Sequence, residues 1–134
     1  MNYKMSDLKG IDQNMAADLR KAGVETTSEL MQAWHDPDKR TNVASSSGLN
    51  DEQLGRMVSM ARMARMKGVG PKYAHLLVTA GVIGRKSLGK HTPEGLVKHL
   101  GEVNSSKMLG FPLPTLAEVS AWFTDLKPLN APAD

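Results

Sequence analysis

The residues best placed to do chemistry are the short run Lys67-Gly68-Val69-Gly70-Pro71-Lys72, and the chemistry they suggest is the holding of an anion. Two glycines around one apolar residue let the backbone turn tightly through positive φ and leave its N–H groups uncovered. Pro71 suits the first turn of a helix, where its missing donor costs nothing. The start of that helix presents unpaired N–H groups and the positive end of its dipole, a setting that fits a phosphate. Lys67 and Lys72 flank the turn and can add charge-assisted bonds. Arg62 and Arg65, three residues apart on the preceding helix, share a neighbourhood beside it, and Arg85 and Lys86 follow. The residues expected to contact such a phosphate are Arg62, Arg65, Lys67, Gly68, Val69, Gly70, Lys72, Arg85 and Lys86, with Val69 plugging the turn into the core.

Other candidates for chemistry are weaker. The histidines, His35, His75, His91 and His99, form no His-x-x-x-His pair and have no carboxylate at ligand spacing, so no metal is expected. Met57, Met60, Met63 and Met66 recur every third residue and read as core filling rather than a soft-metal face. Lys72 beside Tyr73 could be cast as a Schiff-base pair, but nothing nearby marks the desolvation that such a lysine needs. Ser45-Ser46-Ser47 reads as a helix end. No enzymatic activity and no cofactor are expected.

Charge supports the anion reading. Residues 1–55 hold six cations and nine acids, a net of −3, whereas residues 56–99 hold nine cations and Glu94 alone, a net of +8. Residues 100–134 return to −2, giving +3 for the whole chain of 134 residues. A basic middle between acidic flanks marks a surface that faces a polyanion. With 40% hydrophobic residues the composition is globular, and with only 4% aromatic the core must come from aliphatic residues and nine Met. The absence of cysteine excludes disulfides and thiolate chemistry. The N-terminal residues lack an apolar signal-peptide core, and no apolar run suits a membrane span, so a cytoplasmic location without membrane contact is expected.

The elements that must position the turn are helices. Shifting the chain by 58 positions lays Leu8-Lys9-Gly10-Ile11 on Met66-Lys67-Gly68-Val69, Ala16 on Ala74 and Leu19 on Leu77. The same shift lays Ala22-Gly23-Val24 on Ala80-Gly81-Val82 and Leu30 on Leu88. In the first copy Asp12-Gln13-Asn14 stands where the second has Gly70-Pro71-Lys72, which places a negative charge where a phosphate would sit. That copy is expected to be structural. Thr26 or Thr27 caps a helix from Ser28 to Trp34, and Pro37 to Ser46 forms another that stops at Ser47-Gly48. Asn50 or Asp51 opens a helix to about Met66 with an apolar arc at Leu54, Met57, Val58 and Ala61. Thr92-Pro93 opens a helix carrying Leu96, Val97 and Leu100. Gly110 to Pro114 forms an ordered turn, and Thr115 caps a last helix with Leu116, Val119, Trp122, Phe123 and Leu126. The predicted fold is all-α, a single domain over 1–134 with about eight short helices. Within it lie a first unit at 5–34, connecting helices at 35–62, a second unit at 63–90, C-terminal helices at 91–129 and a frayed tail at 130–134.

The stretch from Met66 to Ala74 resembles the hairpin of the helix-hairpin-helix superfamily. The span from about Ser6 to Leu129 is similar to a bacterial family of unknown function that contains such units in tandem. The residues that carry the likeness are Arg65 to Ala74, Ala80-Gly81-Val82, Gly48-Leu49, and Leu113 to Leu116 with Trp122. The resemblance implies a duplicated, pseudo-twofold pair of units and sequence-independent contact with a nucleic-acid backbone, DNA more than RNA. The alternative expectation is a scaffold whose hairpins only pack the fold and whose basic face meets an acidic protein partner or a second copy.

Overall fold

A computed structural model of the chain describes residues 2–8 and 10–124. Among these residues lie eight α-helices: α1 (Gln13–Lys21), α2 (Thr27–His35), α3 (Pro37–Ser47), α4 (Asp51–Ala64), α5 (Gly70–Thr79), α6 (Arg85–Leu88), α7 (Pro93–Ser106) and α8 (Leu116–Thr124). A 3-10 turn at Met5–Asp7 precedes them. There is no strand among the described residues, only one antiparallel bridge between Lys4 and Thr26. The all-α class expected from composition and periodicity is the class observed.

Side-chain caps set where the helices begin. Thr26 caps α2 in a reciprocal box, its hydroxyl accepting from Glu29 N at 3.2 Å while Glu29 Oε1 accepts from Thr26 N at 3.1 Å. Thr27, the other candidate, is buried instead; its hydroxyl donates to Asn2 Oδ1 and accepts from Tyr3 N, clamping the N-terminal residues to the α1–α2 turn. Asn50 and Gln53 form a second box at α4. Asp36 caps α3 ahead of Pro37, and Thr92 caps α7.

Helix α4 is the centre of the fold, packed along α5 and across α2. Its buried residues, Leu54, Met57, Val58, Met60, Ala61, Met63 and Ala64, cover far more of its circumference than one amphipathic stripe. Three of the four methionines in the three-residue series therefore fill core, with Met66 partly buried at its edge. Helices α1 and α2 pack on α3, and α7 bridges α5 to α8. Because α4 pairs with α5, the element leading into the second glycine turn begins at Asp51, and the expected boundary between 62 and 63 cuts through it. Helix α4 ends at Ala64, short of Met66, because Met66 N turns back to the Met63 carbonyl at 3.1 Å. Leu116, expected on the buried arc of α8, is 46% exposed; Val119 and Trp122 carry that contact. Leu126, the expected stop at Lys127-Pro128, the tail from residue 130 and Lys9 lie outside the described residues.

Candidate functional site

The two glycine turns have closely matching backbones. Gly10 and Gly68 take φ +90° and +85°, and the apolar residue after each donates back three residues: Ile11 N to Leu8 O at 3.3 Å, Val69 N to Met66 O at 3.1 Å. Ile11 and Val69 are 6% and 2% exposed, so each plugs its turn into the core. The matching also holds where the following helices end. Val24 N reaches Leu19 O at 2.9 Å and Val82 N reaches Leu77 O at 2.8 Å, with Gly23 and Gly81 left-handed between. This is the αL helix end with a 6→1 bond.

What differs is the mouth of each turn. In the first, Asp12 is the N-cap of α1 and its carboxylate accepts from Met15 N at 2.8 Å. The chain thus closes its own helix end with a resident anion. In the second, Gly70 stands in that place at φ +62°, and no side chain caps α5. The first-turn donors of α5 therefore have no resident carboxylate in front of them.

The expected contact residues fall into three groups. Lys67, Gly68, Lys72 and Arg65 are exposed around the turn, and Gly70 is partly exposed. The Val69 side chain is wholly interior, so its part is confined to shaping the backbone. Arg62 is half-buried and donates to the Ile83 carbonyl at 3.4 Å. That bond draws the turn before α6 against the last turn of α4, so Arg85 and Lys86 start within two residues of Arg62's contact. Both ion pairs among the described residues, Arg20–Glu25 and Arg40–Asp51, involve cations of the acidic first third. Arg65, Lys67 and Lys72 take part in neither of these two pairs.

Sequence reasoning missed the inner wall of the turn, which α8 supplies. A Cβ added to Gly68 would lie 3.2 Å from Trp122 Cδ1 and 3.3 Å from Nε1, so a side chain there would push on the indole edge as well as strain a backbone at φ +85°. Trp122 is fully buried, its ring 5.7 Å from that of Tyr73, and its Nε1 has no hydrogen-bond partner. The Tyr73 hydroxyl donates to Glu118, at 3.0 Å to Oε2 and 3.3 Å to Oε1. Glu118 also closes the capping box of α8, accepting from Thr115 N at 3.0 Å while Thr115 Oγ1 accepts from Glu118 N. The Thr115 N–H bond, the Tyr73 hydroxyl and the nearby Lys72 charge hold the Glu118 carboxyl below its usual range. The Thr115-x-x-Glu118 box was readable from the sequence, but nothing in the sequence says that it faces Lys72.

The histidines have other work. The His75 ring covers Gly10, where an added Cβ would sit 2.7 Å from Nδ1 and Cε1, and it packs 4.8 Å from Phe111. His91 and His99 stack at 5.7 Å, and His99 Nε2 meets the Ala80 carbonyl at 2.8 Å. No group of three potential metal ligands occurs among the described residues. A cleft of about 310 Å³ lies between α2 and α3, lined by Glu29, Gln32, Lys39 and Asn42, all in the first third of the chain. Among the described residues, no helix is long and apolar enough to cross a membrane.

Fold and turn together define a small all-helical domain with one glycine turn closed by its own carboxylate and one left open. The chain belongs to a family described as a domain of unknown function, DUF4332, which matches residues 9–129, nearly its whole length. Neither the curated proteins nor the solved structures include a match to it.

Proposed function

We propose that the two glycine turns are a tandem pair of helix-hairpin-helix units and that the protein is a non-enzymatic, sequence-independent module for nucleic-acid backbones, DNA more than RNA, acting through the second turn. The observation that carries this reading is the contrast between Asp12 and Gly70. The first turn accepts a carboxylate at its helix end, which is the chemistry a phosphate would repeat at the second. The second has a glycine there, no side-chain cap, and exposed Lys67 and Lys72 beside it.

One such turn neutralises about two to four phosphates, which corresponds to a salt slope on the order of −2 to −4 and roughly micromolar affinity. Strong binding then needs a second copy or a partner. The test is a salt-titrated binding series on duplex and single-stranded oligonucleotides with wild type and the Lys67→Glu, Lys72→Glu double variant. The variant is expected to lose most binding and to flatten the slope by about two. An unchanged slope in the variant removes the turn from the mechanism.

A second reading, a protein-docking scaffold, draws on the exposed apolar residues of the C-terminal third: Met108 at 91%, Leu113 at 49% and Leu116 at 46%. Absence of binding to any nucleic acid at low salt would favour it.

A further inference from the structure

The second turn is flanked by a fixed anion as well as by cations, and that anion has a consequence for what the turn can hold. Glu118 is exposed at the surface yet anchored at both oxygens, through Tyr73 Oη and Thr115 N. The anchor is itself rigid. Tyr73 is buried against Trp122, and the Trp122 indole edge occupies the space that a Cβ on Gly68 would need. Lys72 Nζ lies 5.1 Å from the centre of the Tyr73 ring, and its charge acts on the Glu118 carboxyl. The Trp122 Nε1 donor, wholly buried and unpartnered, is on the indole edge that faces Gly68. The turn therefore offers the first-turn N–H donors of α5, and α8 sets beside them a carboxylate held by two hydrogen bonds.

We propose that Glu118 is a specificity-determining residue of the second turn: it offsets the extra attraction that the flanking lysines give a doubly charged phosphomonoester, such as a 5′-terminal phosphate or free phosphate, so that the singly charged phosphodiester of a nucleic-acid backbone is not outcompeted there. This rests on the reading of the turn given above. Attraction to Lys67 and Lys72 and repulsion from a fixed carboxylate both scale with the charge of the ligand, so Glu118 cancels part of the advantage that a dianion has over a diester beside those lysines. Partial solvent screening at the surface limits the effect to a few-fold for each unit of charge. The lowered pKa of Glu118 keeps the carboxylate ionised throughout the neutral range. Asp12 at the first turn carries the same logic further, where a carboxylate in the mouth itself excludes any anion.

Glu118→Gln separates this role from helix capping, because a glutamine at the third position still completes the box with Thr115. Tyr73→Phe is the second variant; it keeps the charge but releases one anchor. The experiment measures binding at low salt and pH 8 to one short duplex with 5′-hydroxyl ends and the same duplex with 5′-phosphates, with inorganic phosphate as competitor. Wild type is expected not to distinguish the two duplexes and to be displaced poorly by phosphate. Glu118→Gln is expected to prefer the phosphorylated duplex about three- to tenfold, with phosphate competing at correspondingly lower concentration. Tyr73→Phe is expected to fall between them. Equal behaviour of wild type and Glu118→Gln on both duplexes, or a wild-type preference for the phosphorylated one, would overturn the proposal while leaving the turn as a backbone site. Failure of every form of the protein to bind either duplex would remove the turn as a site and the selectivity with it.

Discussion

His75 is the residue on which the first glycine turn rests, and it is a titratable group in a place that disfavours its charge. Its ring covers Gly10 and packs beside Phe111, and its Nδ1 is buried without a partner. Burial lowers its pKa below the ordinary 6.5, and the positive charge of Arg56 adds to the lowering. In the unfolded chain the imidazole takes up its proton near 6.5, whereas the folded protein resists it, so the unfolded state binds more protons as pH falls. The contribution is thus fully present above about 6.5 and is lost as pH drops below it. Thermal melting at a series of pH values between 8 and 5 is expected to show a falling Tm, and His75→Leu is expected to flatten that fall. A wild-type Tm that rises towards pH 5 would contradict the assignment. Glu118 titrates in a lower window, because its pKa is depressed from an ordinary value of 4.5. None of this is legible in the sequence, where His75 shows only that it lacks a partner at metal-ligand spacing. The contact joins residues 10 and 75, and local pattern carries no signal across that separation.

At the scale of helix ends, three helices finish in the same geometry. The ends of α1 and α5 place Gly23 and Gly81 in the left-handed region, and α7 places Met108 there at φ +52° with Leu109 N bonded to Asn104 O at 3.0 Å. Glycine announces such an end, so the stops of α1 and α5 could be read from the sequence. Methionine does not, and the end of α7 could not. What holds it is Asn104, whose side chain accepts from Phe111 N at 2.9 Å and donates to Phe111 O at 3.1 Å, fixing the turn that follows. The left-handed conformation costs a non-glycine residue about 1–2 kcal/mol, partly offset by the greater freedom that glycine has when unfolded. Met108→Gly is therefore expected to stabilise the protein by about 0.5–1 kcal/mol in chemical denaturation. Gly23→Ala, where an added Cβ meets nothing but the φ is +86°, is expected to destabilise it by about 1 kcal/mol. A destabilised Met108→Gly would mean that the exposed side chain has a packing role. Caps at Thr26, Asn50, Thr92 and Thr115 were similarly legible, because each is a local side-chain-to-backbone bond within a few residues.

Across the whole molecule, charge and fold point to the same place. The basic segment 56–99 builds most of α4, the open turn, α5, α6 and the start of α7, while the acidic first third builds the turn that carries its own carboxylate. The sequence shows this division, and the 58-residue match shows that the two turns are comparable. It does not show that α8 returns to wall the open turn, since Gly68 and Trp122 are 54 positions apart and meet only through tertiary packing. The central claim is that the second turn holds phosphate and the first does not. Backbone amide chemical shifts followed by NMR during titration with a short duplex test it most directly. The account predicts progressive shifts at Gly68, Gly70, Lys72 and Tyr73, reversed by added salt, with Gly10, Ile11 and Met15 unmoved. Shifts at the first turn, or binding that leaves the amides from 68 to 73 where they were, would contradict it.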